Sequence, residues 1–269
     1  MFFAIAQEEV QEGGQLLSKK GTPILPESGE FSLGISAVPF FEYAGNIFNG
    51  TSNNDAPGFG FTDEFPMMIT GKYMLDDKTA IRGIFRIGFG NTKEIGDVDD
   101  DANPGEFVED TYKYSGMNIG IGAGYEKRRG KGRLQGLYGG QVLLTFQSNT
   151  DTYEYANAYS TTNLAPSRYD FGANDLGAAW MLEEKSGLGF GVGIQGFVGV
   201  EYFFAPKLSL SGEFTYGFGF NKQAKSSATY EMWDVANDVL MKQTDEFGGS
   251  SSFGLDTGIG AFLNLNFYF

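Results

Sequence analysis

The chain has 269 residues, 34 acidic and 19 basic, for a net charge of −15, and it contains neither cysteine nor histidine. Those two zeros exclude disulfides, zinc held by thiolate and imidazole, haem on its usual axial ligands and Ser-His or Cys-His nucleophiles, while the acidic balance repels phosphodiester backbones and argues against nucleic acid as a partner. Forty glycines and 26 phenylalanines without a collagen-like period point to an all-β chain whose backbones pack closely.

Residues 1–6 read as a signal-peptide remnant, with Ala4 and Ala6 as the small residues of a cleavage site and Gln7-Glu8-Glu9 as an acidic mature start. Residues 7–29, which carry Gly13-Gly14, Lys19-Lys20, Pro23 and Pro26, read as a periplasmic or disordered leader. From residue 30 to 269 the chain repeats one pattern eight times, an apolar/polar alternation of period two followed by a break. The segments are 30–44, 64–75, 79–91, 112–126, 133–147, 187–204, 208–220 and 253–269, and such lengths suit strands crossing a bilayer at a tilt.

The breaks alternate. Asp76-Asp77-Lys78, Lys127 to Gly132 and Ala205-Pro206-Lys207 are short, whereas 45–63, 92–111, 148–186 and 221–252 are long. The expected fold is therefore an all-β, eight-stranded antiparallel up-and-down transmembrane β-barrel, with four long external loops and short periplasmic turns.

Side-chain volume separates a soluble barrel, apolar inside, from a membrane barrel, apolar outside. One parity carries Phe31, Leu33 and Ile35, then Ile81, Phe85, Ile87 and Phe89, and later Phe214, Tyr216, Phe218 and Phe220. Eight strands enclose too little room for so many large groups, so this face points out, where only lipid tolerates it. The opposite parity is mostly Gly, Ser, Thr and Gln, with Lys72, Arg82, Arg86 and Arg133 balanced against Glu126, Glu201, Glu213 and Asp256. Charges in a narrow interior persist when paired, so these eight read as an ion-pair network that plugs the lumen.

At the C-terminus Ala261, Leu263, Leu265, Phe267 and Phe269 put apolar groups on alternate positions and end the chain in phenylalanine. Together with the strand count and loop asymmetry, this motif resembles the small outer-membrane β-barrels of the OmpA/OmpW-like kind. The resemblance implies a cell outer-membrane location, outer-membrane lipid as surroundings, and a terminal strand read by the outer-membrane insertion machinery.

Three loop features invite functional readings. Asp97, Asp99, Asp101 and Asn103 place oxygen ligands on alternate positions, as in the first half of a calcium loop, but Ala102 stands where the sixth-position glycine belongs. They are the candidate ligands for weak Ca²⁺ or Mg²⁺ binding in what otherwise reads as a solvated acidic loop, and no other cofactor is expected. Tyr153, Tyr155 and Tyr159, with Trp233 and Leu240, are candidate partner-binding residues, and Glu231 to Gln243 has helical apolar spacing. The basic run Lys127, Arg128, Arg129, Lys131 and Arg133 surrounds a short turn and suits anionic head groups, a periplasmic partner or plain solubility. No histidine is present to act as general base, so the expected role is non-enzymatic: structural or accessory, including as subunit of a larger outer-membrane complex. A narrow solute conduit is the alternative and a surface adhesin the third reading.

Overall fold

The computed structural model describes residues 10–12, 15–37, 69–130 and 132–269, and side chains at all of these except 10–12, 15 and 256–262. The expected signal remnant 1–6, the connection 45–63 and parts of the first two alternating segments lie outside the described residues, as do the side chains of Asp256 and Ala261.

The described chain is all β, with thirteen strands and no helix. A short hairpin joins β1 (Val10–Glu12) to β2 (Gln15–Leu17). The large sheet contains β3 (Phe31–Ser36), β4 (Ile69–Asp76), β5 (Thr79–Asp99), β6 (Phe107–Arg129), β7 (Leu134–Glu154) and β8 (Ala179–Lys185). It continues with β9 (Gly189–Ala205), β10 (Leu208–Gln223), β11 (Ser226–Asp234), β12 (Val239–Phe247) and β13 (Ser250–Tyr268). Strands β3, β4, β5, β6, β7, β9, β10 and β13 pair antiparallel in that succession, and β13 also pairs with β3. Where the last strand meets the first, Phe31 and Phe269 exchange backbone hydrogen bonds of 3.0 and 2.9 Å.

Alternation sets the two faces. Phe31, Phe85, Ile194, Val198 and Phe214 are each 44–59% exposed, whereas Lys72, Arg82, Glu126, Glu201 and Glu213 on the opposite face are at most 5% exposed. A chain that shows its aromatic groups and hides its ions reverses the arrangement of a water-soluble domain.

Two expectations need correction. Residues 92–99, 107–111 and 148–154 are not loop but continuations of β5, β6 and β7, because a hairpin in register keeps gaining ladder bonds until a turn interrupts it. That turn is Asp100 to Glu106, closed by Asp100 N–H donating to the Glu106 carbonyl at 2.9 Å. Glu231 to Gln243 is not an amphipathic helix but the hairpin β11–β12. Asp234 Oδ1 accepts from the N–H groups of Ala236 and Asn237 at 2.9 and 3.2 Å, and Asp238 adopts φ 55°, so side-chain-to-backbone bonding stabilises a turn where apolar spacing suggested a helix. Strands β12, β11 and β8 pair in order onto the upper part of β7, extending the sheet on the long-connection side.

The leader is also more than a tether. Leu16 and the fully buried Ile24 pack with Met74, Ala80, Phe203 and Tyr268 at the short-turn end of the sheet. Backbone bonds hold the segment there: Ile24 N–H to the Leu16 carbonyl at 2.9 Å, Lys207 N–H to the Ile24 carbonyl at 3.1 Å and Met74 N–H to the Glu30 carbonyl at 2.9 Å. Lys207 turns the β9–β10 connection at φ 60°, an unusual conformation for a residue with a Cβ, and its Nζ is held by Glu30 at 2.6 Å and the Leu25 carbonyl at 2.9 Å. Ile24→Ala is expected to lower the free energy of unfolding by about 2–4 kcal/mol in equilibrium urea titration. Val235→Ala, at an exposed turn, should change it by less than about 0.5 kcal/mol.

Candidate functional site

Two regions concentrate buried polar chemistry: the interior beside the short turns, and the sheet built by the long connections.

In the first, period-two alternation delivers one or two charged side chains from each of five strands to the same face. Lys72 (β4), Arg82 (β5), Glu126 and Arg128 (β6), Glu201 (β9) and Glu213 (β10) meet there, three cations with three anions. Glu126 lies at the centre, 3.0 Å from Lys72 Nζ, 3.4 Å from Arg82 Nη1 and 3.0 Å from Arg128 Nε. Glu201 receives Arg128 Nη2 at 2.9 Å and Lys72 Nζ at 3.6 Å, while Arg82 Nη2 reaches Glu213 at 2.8 Å. Neutral donors converge on Glu201 Oε1: Ser209 Oγ at 2.5 Å, the Tyr268 hydroxyl at 2.9 Å and Asn266 Nδ2 at 3.1 Å. Arg82 lies 4.1 Å above the Phe197 ring, and that ring fits because residue 139 is glycine: a Cβ there would come within 2.6 Å of the ring and 2.0 Å of the Tyr125 carbonyl.

Buried ions are tolerated only when desolvation is offset by near-complete pairing, and here each of the six is within 3.0 Å of at least one opposite charge. Along the strands the order is the apolar cap around Ile24, then the ions, then a Gln141–Gln195 hydrogen bond of 2.9 Å, then open space. That space holds cavities of about 550, 420 and 220 Å³, lined in part by Arg86, Asn118, Gln147, Thr145, Asn221 and Ser252.

Five of the eight residues predicted for the network are brought together. Arg86 is not among them: four residues further along β5 on the same face, it lines the cavity of about 550 Å³ and forms no ion pair among the described residues. Arg133 sits at the strand end, donating to the Phe203 carbonyl at 3.0 Å. Asp256 has no described side chain. Arg128, which the sequence pattern assigns to the basic turn, belongs to the network instead. Strand β6 runs through Arg129, so residue 128 shares the face of Glu126, and extending the alternation by two residues finds it.

In the second region, Tyr153, Met181 and Ala228 form a buried cluster flanked by Tyr112, Tyr155 and Phe171. Of the candidate partner-binding residues, Tyr153 is therefore core rather than open surface. The Tyr155 hydroxyl donates to the Met181 carbonyl at 2.7 Å, Tyr159 stacks on Trp233 at 6.4 Å between centroids, and Leu240 is exposed on β12. The connection 155–178 is bolted down by buried polar anchors. Asp110 accepts from the N–H groups of Ala156 and Tyr169 at 2.8 and 2.9 Å, and Asn157 donates to the carbonyls of Asp99 and Ser167 at 2.8 and 3.0 Å. Arg168 pairs with Glu231 at 2.5 Å while lying over the rings of Tyr155 and Tyr159 at 4.2 and 4.6 Å.

The proposed cation ligands do not converge. Asp97 stands opposite Glu109 in the β5–β6 ladder, Asn103 donates to Asp100 at 2.8 Å, and Asp101 accepts from Asn163 Nδ2 and Ser167 N–H at 2.7 and 2.8 Å. Among the described residues no three or more carboxylates gather in a metal-holding arrangement. The acidic loop acts instead as an acceptor for the neighbouring connection.

No family model and no curated protein matches the chain. Among solved structures, a major outer membrane protein from Thermus thermophilus aligns over 89% of this chain and 98% of its own, at 12% identity and a TM-score of 0.31.

Two tests follow from this geometry. Arg128→Met strips two buried carboxylates of a partner and is expected to destabilise the fold by roughly 3–5 kcal/mol in urea titration, whereas Arg86→Met should cost under about 1 kcal/mol. Equal losses would show that the two arginines are equivalent. Separately, hydrogen bonds from Ser167 and Asn163 hold the Asp101 carboxyl below its ordinary value of 3.8. With a depressed folded value, its contribution is fully present above pH 3.8 and is lost as pH falls through the folded value. Acid-stable protease should therefore begin to cut the 156–170 segment only below pH 3.8, and Asp101→Asn should weaken that protection at neutral pH.

Proposed function

We propose that the chain is a non-enzymatic integral outer-membrane protein, an eight-stranded up-and-down barrel made of β3–β7, β9, β10 and β13. Its lumen is plugged, and its long connections form the working surface for a structural or accessory role, including as a subunit of a larger outer-membrane complex. The observation that carries this reading is the inverted burial, large aromatic and aliphatic groups exposed on one face of every strand in that succession and a neutral ion network hidden on the other. Such an outer face is costly in water and favourable in hydrocarbon, where strands also need every backbone group paired, as the return of β13 to β3 would provide.

The accessory role is supported by the investment in the long connections. They make an ordered sheet with its own core, more structure than closing a barrel requires. Lipid surrounds the barrel, the alternating apolar groups Leu263, Leu265 and Phe267 of β13 suit recognition by insertion machinery, and nucleic acid, metal and cofactor have no part in the reading.

A narrow conduit is the second reading, favoured by the polar cavities above the network. They lead, however, onto the paired ions and the Ile24 cap. Planar-bilayer recording separates the two: a plugged lumen gives no sustained open current, and steady unitary steps from the purified protein would overturn it.

A further inference from the structure

We infer that the free edge of β12 is a dimerisation edge, at which a second copy of this chain pairs antiparallel in a register centred on Thr244. The inference rests on the reading that the long-connection sheet is the working surface. Strand β12 ends the sheet order: it pairs with β11 on one side and with no strand on the other among the described residues. Every residue from Val239 to Phe247 is exposed except the half-buried Asp245, so its outward N–H and C=O groups are open to a partner strand.

The sequence of the strand selects the occupant. Two copies of one edge are related by a two-fold axis, so each residue faces one of the same sheet face, and only registers centred on a residue are allowed. Centring on Lys242 or Asp245 opposes like charges at the axis. Centring on Gln243 sets Leu240 and Met241 opposite Glu246 and Asp245. Centring on Thr244 sets Lys242 opposite Glu246, Met241 opposite Phe247, Gln243 opposite Asp245, and Thr244 opposite itself. Every cross-strand pair is then of a stabilising kind, and the ion pair occurs twice. Lys242 is available for it: its neighbour on β11, Glu231, is already paired with Arg168, and Lys242 has no ion pair among the described residues. Glu246 meets Lys225 at 2.9 Å in an exposed pair that a second cation can join.

A chain without cysteine makes the test direct. Thr244→Cys, oxidised in detergent micelles at low micromolar protein, is expected to give a disulfide dimer, because directly opposed residues lie within about 4.5–5.5 Å between Cα atoms. Gln243→Cys should not, its copy being about 7–8 Å away diagonally. Lys242→Glu in the cysteine-free chain should weaken dimerisation about tenfold or more by sedimentation, since two attractions become two repulsions. Absence of the Thr244→Cys dimer, or equal cross-linking at both positions, would overturn the inference. If gel mobility before and after boiling still reports a barrel, that failure leaves the membrane reading standing; loss of the boiling shift counts against the barrel itself.

Discussion

The rest of the molecule depends on six charges that sum to zero. Each cation and anion of the Lys72, Arg82, Arg128, Glu126, Glu201 and Glu213 group is close to inaccessible, and any one left alone there would carry several kcal/mol of desolvation. Mutual pairing offsets that cost only if the six strand positions are held in register, so the network and the ladder specify one another. A slip of one residue in any contributing strand would send a charge to the apolar face and an aromatic ring inward. Polar shells around Glu201 from Ser209, Asn266 and Tyr268 tighten this dependence, since β13 is tied to the same centre through its last residues.

From that centre the other features follow as layers. Toward the short turns, Phe203 and Tyr268 stand between the ions and Ile24, so the leader keeps water off the network. Toward the long connections the interior becomes small-residued and amide-lined, and the sheet rises into β5, β6 and β7 extended by β8, β11 and β12. Burial is thus polar at the centre and aromatic at both ends, with hydrocarbon as the proposed surroundings of the outer belt.

Much of this is legible from alternation alone. Period two places the strands and their faces, and it assigns Lys72, Arg82, Glu126, Glu201 and Glu213 to one side. What alternation cannot supply is where a strand stops. Arg128 falls outside a boundary drawn at residue 126, three residues short of the strand's end, and β5–β7 look shorter than they are because Asp97, Asp99 and Glu109 resemble loop residues although their backbones continue the ladder. The β11–β12 hairpin is hidden because Met232, Trp233, Ala236, Val239 and Leu240 fit a helix by spacing, while the deciding signal lies in the short-range bonding of Asp234 with Asn237. Tyr153, Asp110 and Asn157 join segments tens of residues apart, and Ile24 fits a pocket made by β4, β5, β9 and β13. No local pattern announces such contacts.

The most direct measure of the central claim is which face meets hydrocarbon. Nitroxide labels placed one at a time along β10, at Ser209, Ser211 and Glu213 and at Phe214, Tyr216 and Phe218, would report their surroundings in lipid vesicles through collision with oxygen or with a water-soluble nickel complex. The account predicts labels at 214, 216 and 218 open to oxygen and closed to nickel, and labels at 209, 211 and 213 shielded from both. Nickel access at 214, 216 and 218 equal to that of an exposed turn such as Val235 would contradict it.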